Sequence, residues 1–389
     1  MFAFIFILMA LSTGLKIRAQ EPESSIITYS VGQYETLHSS LLGEDRQLLI
    51  HLPEDYENTK KQYPVLYIFD GENTHRYIQS VMAVTFYSSI RRLPQMICVG
   101  ILNTDRTRDM TPRKVKQRPN SGGGDTFLKF IISELIPHIE KQYRSAPYRM
   151  LFGGSSAGMF ALYTLFSRLG SFNAYIASRP ALNSYSEYTW DSDVIFQSAR
   201  SFFKESHSGK ISLFIDYGGQ EDRLHNPEPI HQLAEIFQKK PSKRFRWEIQ
   251  ETGESRYRSA ESLKNGLLSV FKAWHYSADS LYTDGFLGIE RYAQALSERF
   301  DYPVTVADLL KERDLIMFGH RFLENEQVRD AVSFFKYAVS AYPSWYMYDI
   351  LAKAYMIDGK NQLAIQCYEK SLALNPENTN AVNMLKQLK

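Results

Sequence analysis

Short apolar runs alternate with helix-length amphipathic stretches from about Ile26 to Trp274. Arg46–Leu52 alternates polar and apolar positions and stops at Pro53, whereas Tyr63–Phe69 and Met96–Ile101 are continuous apolar runs. Tyr148–Phe152, Ile211–Tyr217 and Arg244–Ile249 add three more strand-like segments. The stretch from Asp125 to Tyr143 carries Phe127, Phe130, Ile131, Leu135 and Ile139 on one face at helical spacing. Met159–Phe166 and Ser262–Trp274 also read as helices. A strand that is apolar at every position must be covered on both faces. The pattern therefore predicts an α/β fold with a mostly parallel sheet between helical layers. In such sheets the working residues sit on loops at the carboxyl ends of the strands. Asp70-Gly71, Gly154-Ser155-Ser156-Ala157-Gly158 and Gly218-Gly219-Gln220-Glu221-Asp222 all fall at such ends.

The pattern changes in the C-terminal part. Ala331, Phe335, Ala338 and Pro343 recur 33 residues later as Ala364, Tyr368, Ser371 and Pro376, and Gly319 and Phe322 match Ala352 and Tyr355 at the same offset. This is close to the roughly 34-residue helix-turn-helix period of tetratricopeptide repeats. Small residues let paired helices approach and aromatic residues fill the layer between them. Two repeats and a last helix, Ala381–Leu388, fall short of the roughly three repeats a free-standing array needs. The tail is thus expected to pack on its own main domain through Ile289 to Phe300, with protein-partner binding by the repeats as a further possibility. The predicted organisation is a signal peptide over 1–19, an α/β domain over 25–278, a helical linker over 279–306 and a small all-α helical-repeat domain over 307–389.

Met1 to Leu15 is an apolar run of signal-peptide length, followed by Lys16 and Arg18, a small residue at Ala19 and the polar Gln20-Glu21-Pro22-Glu23. No cysteine follows to carry a lipid anchor. The expectation is an exported protein, periplasmic or secreted, with no stable membrane span after cleavage. Lys plus Arg number 45 against 43 Asp plus Glu, and a net charge of +2 argues against a nucleic-acid partner. Cys98 and Cys367 have no metal-ligand or CxxC spacing and are expected to be buried thiols.

Gly154-Ser155-Ser156-Ala157-Gly158 between a strand and a helix reads as a nucleophile elbow centred on Ser156. A serine hydroxyl is a poor nucleophile until a histidine takes its proton and a carboxylate orients that histidine. The oxyanion donors expected are the Ala157 N–H and one of Gly71 and Glu72, just past the strand ending at Asp70. The acid is expected after Ile211–Tyr217, where Glu221 and Asp222 are equal candidates. The base should follow Arg244–Ile249, yet Gln250 to Ser259 contains no histidine and the next one downstream is His275. His225, beside the acidic loop, and His75, beside the Asp70 turn, are the possible substitutes. Arg256 and Arg258 flank the vacated position and would favour an anionic ligand if they turned into the cleft.

Leu42–Arg46, Tyr63–Gly71, Asn103–Pro112, Ser121–Asp125, Glu134–Pro137, Pro147–Arg149, the elbow and Ser262-Leu263 together resemble the putative-esterase branch of the α/β-hydrolases, the enterobactin-esterase-like and esterase-D-like enzymes. The similarity covers roughly Ser30 to Trp274, and family members with a tetratricopeptide-like tail are similar over the rest. The resemblance implies an α/β-hydrolase fold and hydrolysis of small-molecule carboxylic esters with no metal or organic cofactor. The chain departs from the family pattern at Ser155, where the family has histidine before the nucleophile. It departs again at Ser255 or Gly253, where counting back from Ser262 places the family's catalytic histidine. Two functions follow as expectations: an exported serine esterase, or an inactive hydrolase fold that binds a ligand or partner.

Overall fold

The computed structural model describes residues 30–389 apart from 117, 169, 183–192, 205–208, 219–226, 240–241 and 253–258. Among these residues, eight strands form one sheet in the order β1-β2-β4-β3-β5-β6-β7-β8. They are β1 (Gln33–Ser39), β2 (Glu44–His51), β3 (Tyr63–Phe69), β4 (Ile97–Ile101), β5 (Ser145–Gly154), β6 (Ala174–Ser178), β7 (Ile211–Gly218) and β8 (Phe245–Thr252). β1 and β2 pair antiparallel, as do β2 and β4, and every remaining pairing is parallel. The antiparallel pair lies at one edge because the alternating pattern of β2 suits one covered face, whereas all seven residues of β3 and all five of β4 are buried.

The helices are α1 (Thr74–Ser89), α2 (Arg106–Asp109), α3 (Gly124–Phe130), α4 (Ile136–Gln142), α5 (Ser156–Ser167), α6 (Asp193–Phe202), α7 (Glu228–Gln238) and α8 (Ser259–Val270). The predicted helix from Asp125 to Tyr143 is interrupted by a π-turn over Ile131–Leu135 between α3 and α4. Pro137, at the start of α4, lacks the N–H that a regular helix would direct to Ser133, and a wider turn accommodates that gap. The apolar side of the sheet that carries Tyr67, Phe69, Leu151 and Ile215 packs on α3, α5 and α7 through Phe127, Phe160 and Leu233. Arg46 of β2 is fully buried; its Nη1 donates to Asp109 Oδ2 at 2.7 Å, and Arg108 spans Asp109 and Glu44. This buried network ties β2 to α2 and explains two of the sequence motifs, since a buried charge survives only when paired. The Arg108 guanidinium, with lesser help from Thr104 and Arg46, holds the Glu44 carboxyl down to about 2.

The other side of the sheet is covered by α1 and α8, and beyond them by a helical C-terminal region. That region comprises α9 (Ala278–Phe300), α10 (Val306–Leu309), α11 (Glu312–Glu324), α12 (Val328–Ala341), α13 (Trp345–Ile357), α14 (Asn361–Leu374) and α15 (Thr379–Leu388). Its apolar core is continuous with that of the sheet, running from Met150 and Phe152 through Trp274 and Phe300 to Phe335, Tyr368 and Ala381. Phe300 is the wedge at the junction, with its ring 5.5 Å from Tyr148, 5.2 Å from Phe271 and 5.7 Å from Trp274. An ion pair from Arg91 to Asp314 at 2.7 Å and a hydrogen bond from Lys61 Nζ to the Ala307 carbonyl reinforce it. Val31–Lys389 accordingly forms one compact unit. Inside the tail, a β-carbon on Gly319 would lie 2.4 Å from the Phe335 ring, so the first hairpin closes over glycine. Cys98 and Cys367 are buried and unbridged. No helix among the described residues is long and apolar enough to cross a membrane.

Phe300→Ala removes the shared wedge and should cost about 3–5 kcal/mol. Urea unfolding followed by circular dichroism is expected to show one transition for sheet and tail together, displaced to lower denaturant. Two separated transitions in the unmodified protein would contradict the shared core.

Candidate active site

β5 is central, and the chain leaves its carboxyl end at the point where strand order reverses, a place where α/β sheets form crevices. The turn into α5 falls on Ser155, with φ 58° and ψ −121°. A non-glycine residue in that region is strained by roughly 1–3 kcal/mol and persists only where its surroundings impose it. The imposing contact is identifiable. A β-carbon on Gly153 would stand 2.4 Å from the Ala157 carbonyl oxygen and 3.0 Å from its β-carbon, so the residues two before and two after Ser155 touch. Gly154, by contrast, has room, since its nearest neighbour would be the Arg76 guanidinium at 3.5 Å. The small residues that the elbow requires are therefore Gly153 and Ala157, and the turn is centred on Ser155.

This shifts the predicted register by one residue. Ser156, expected at the tip, is the first residue of α5 and half-buried, while Ser155 is exposed. The Ser155 side chain makes no capping bond to α5. Its backbone is fixed on both sides: its N–H donates to the Ser178 carbonyl at 2.9 Å, and its carbonyl accepts from Met159 and Ala181.

The second expected element, the turn after β3, lies next to it. Asp70 has φ 58° and is buried, and Gly71 is needed because a β-carbon there would lie 2.9 Å from the Gly100 carbonyl carbon. Asp70 accepts from Arg76 at 2.6 Å, from Arg106 Nε at 2.7 Å and from Asn103 at 2.9 Å. Burial alone would raise its carboxyl, but Arg106 and then Arg76 outweigh it and bring the group below its ordinary range. The Gly71 N–H donates to the Ile101 carbonyl at 2.9 Å, so it is committed to the sheet, while Glu72 is exposed and its carboxylate accepts from Asn103. His75 is exposed in the first turn of α1, beside Arg76.

A carboxylate that sequence reasoning passed over sits at the carboxyl end of β7. Asp216 is fully buried; its Oδ2 accepts from Ser262 at 2.7 Å and from Thr252 at 2.9 Å, and its Oδ1 has no hydrogen-bond partner among the described residues. Burial pushes its carboxyl up, and the hydroxyls of Ser262 and Thr252 and the charge of Arg179 pull it back only partly. Its signal was an aspartate inside the largely apolar Ile211–Tyr217 run. Asp216 thereby pins the end of β8 and the start of α8, the two sides of the loop where the base is expected. Glu221, Asp222 and His225 lie outside the described residues, as does the loop containing Gly253, Ser255, Arg256 and Arg258.

A sequence model of the family described as "Putative esterase" matches residues 39–269. A siderophore triacetylfusarinine C esterase of Aspergillus fumigatus is 32% identical over 138 residues, which cover 34% of this chain and 44% of that protein. A ferri-bacillibactin esterase of Bacillus subtilis is 27% identical over 199 residues, covering 46% and 66%. The matched stretches thus span from under half to about two thirds of these relatives' lengths. An IroE-like serine hydrolase from Shewanella oneidensis superposes with a TM-score of 0.60 at 22% identity, over 88% of this chain and 99% of that one. An uncharacterised protein from Capnocytophaga ochracea superposes with a TM-score of 0.65 at 15% identity, over 92% and 99%. These structures establish the α/β-hydrolase fold, and the share of this chain that they cover takes in helices beyond the sheet.

Two outcomes follow from the geometry. Gly153→Ala forces its β-carbon into the Ala157 backbone and should destabilise the fold by about 1–3 kcal/mol or more, while Gly154→Ala should be nearly neutral in the same thermal melt. Equal costs would put the turn elsewhere. Asp216 supplies a pH dependence. A carboxyl whose folded pKa lies above its unfolded value loses stability as pH rises through the interval between them. Asp216→Asn should flatten that decline above the ordinary carboxylate range, as read by thermal midpoints from pH 4 to 8.

Proposed function

The chain belongs to the putative-esterase family, and from that premise we propose that it is an exported serine hydrolase of carboxylic esters with Ser155 as nucleophile. The observation that carries the reading is the strained backbone at an exposed serine just past the central strand. Strain at that residue holds the hydroxyl out over the end of the sheet, where an acyl carbon can reach it. With the turn centred on Ser155, the first oxyanion donor becomes the Ser156 N–H in place of Ala157. It lies in the first turn of α5, where N–H groups lack intrahelical acceptors and the helix dipole favours negative charge. The second donor is the Glu72 N–H, because that of Gly71 is engaged by Ile101. The substrate carbonyl would accept from both, and the charge that grows on its oxygen as the Ser155–carbon bond forms is stabilised there.

Proton removal is the step that the sequence leaves unprovided. Positions 232–274 contain no histidine, so a base would come from another loop, with His75 and His225 the candidates. Glu221 or Asp222 would then orient the one that serves. The relatives' names point to siderophore esters as a substrate class for trial. The absent histidine favours a second reading, a hydrolase fold that binds a ligand or a protein partner without turnover. Export rests on the apolar Met1–Leu15 segment.

A fluorophosphonate probe with a short acyl ester separates these readings. Ser155→Ala should abolish labelling, whereas Ser156→Ala should keep it; the reverse result would return the nucleophile to Ser156. Labelling with no turnover means that acylation outlives the lost base, and absence of both means the binding reading. If His75→Ala and His225→Ala each retain full turnover, neither histidine is the base. A triad lacking its histidine retains only about 10³–10⁴-fold acceleration over water.

A further inference from the structure

At the amino ends of β7 and β8, where the sheet edge meets α8 and α9, a cleft of about 380 Å³ opens. Ser155 lies at the carboxyl end of the same parallel sheet, so this cleft is separate from the elbow. Arg246 on the edge strand β8, Lys272 just past α8 and Arg299 near the end of α9 all line it. Arg246 is paired in register with Ser212 of β7, a buried serine that also lines the cleft. None of the three cations forms an ion pair with a described residue, although Lys210 nearby pairs with Asp301 at 3.1 Å. The one carboxylate in the lining, Glu248, accepts from Ser269 at 2.6 Å. The Arg299 Nε is buried and has no hydrogen-bond partner among the described residues. Burial, followed by repulsion from Arg246, makes its guanidinium easier to deprotonate than usual. With Glu248 the single carboxylate among the described lining residues, three cations are only partly compensated, and two guanidiniums brought together at a partly desolvated site destabilise the chain that holds them.

We propose that this cleft binds a small, multiply charged oxyanion, bearing two or more phosphate or carboxylate groups, through Arg246, Arg299 and Lys272. The planar guanidinium donors suit bidentate contacts to either group. The volume is that of a small-molecule site rather than a macromolecular surface.

The test uses the full-length protein at low ionic strength with inorganic pyrophosphate and citrate, which separate phosphate from carboxylate preference. Calorimetric titration should give saturable binding of one or both, with a matching rise in thermal midpoint. Arg299→Gln and Arg246→Gln should each weaken binding roughly tenfold or more. Each should melt no lower than the unmodified protein without anion, because each relieves the repulsion. Ser155→Ala should bind unchanged, which keeps the outcome independent of the elbow. The proposal fails if neither anion saturates by about ten millimolar, or if binding survives intact in both arginine variants.

Discussion

The contact between Gly153 and Ala157 is the constraint from which the site follows. Strand and helix meet so closely that nothing larger than a hydrogen fits on the first and little more than a methyl on the second. With these two residues touching, the residue midway between them must take a backbone conformation that L-residues avoid. Three hydrogen bonds then hold it, from the Ser155 N–H to Ser178 and from Met159 and Ala181 to its carbonyl. The serine is thus presented by the backbone, and its orientation does not depend on a packed side chain.

Charge organises the neighbouring turn in a comparable way. Asp70 takes a left-handed conformation beneath two arginines and an asparagine, and these come from α1, from α2 and from the segment between β4 and α2. One carboxylate therefore fixes three pieces of chain around the exposed Glu72. The Arg46–Asp109 pair does the same one layer down, tying α2 to the antiparallel edge. The energetic logic differs from that of Asp216. Asp70 faces cations that outweigh its burial, whereas Asp216 has neutral hydroxyls as its hydrogen-bond partners and leaves one oxygen unpaired among the described residues. Charge compensation lowers the first carboxyl and desolvation raises the second.

The fold was legible because its main signals are periodic. The apolar runs at Tyr63–Phe69, Met96–Ile101 and Ile211–Tyr217 locate strands to within a residue or two, and the 33-residue offset marks hairpins that α11–α14 form. β6 was not foreseen: five residues with two alanines, Ala174 to Ser178, carry too little pattern to stand out. The elbow was legible as a place but not in register, because two glycines precede two serines and either serine satisfies the spacing. Only the close approach of Gly153 to Ala157, a fact of three dimensions, distinguishes them. Asp216 escaped for a related reason: a lone acid in a strand reads as an exposed alternation until the sheet shows both of its faces covered.

The missing histidine acquires a sharper meaning in this setting. Thr252 and Ser262 clasp Asp216 on either side of the loop where the base is expected, so the frame for that loop is built even though the sequence supplies no imidazole to it. A frame held by a buried carboxylate in an unfavourable medium is costly to keep, as is the strain at Ser155. Both features hold the elbow and the facing ends of β8 and α8 to fixed geometries, and a fold that needed only to pack would be more stable without either. Their joint presence supports the active site proposed at the end of the sheet. For the proposed serine hydrolase, a histidine base would come from outside β8 and α8, since positions 232–274 hold none.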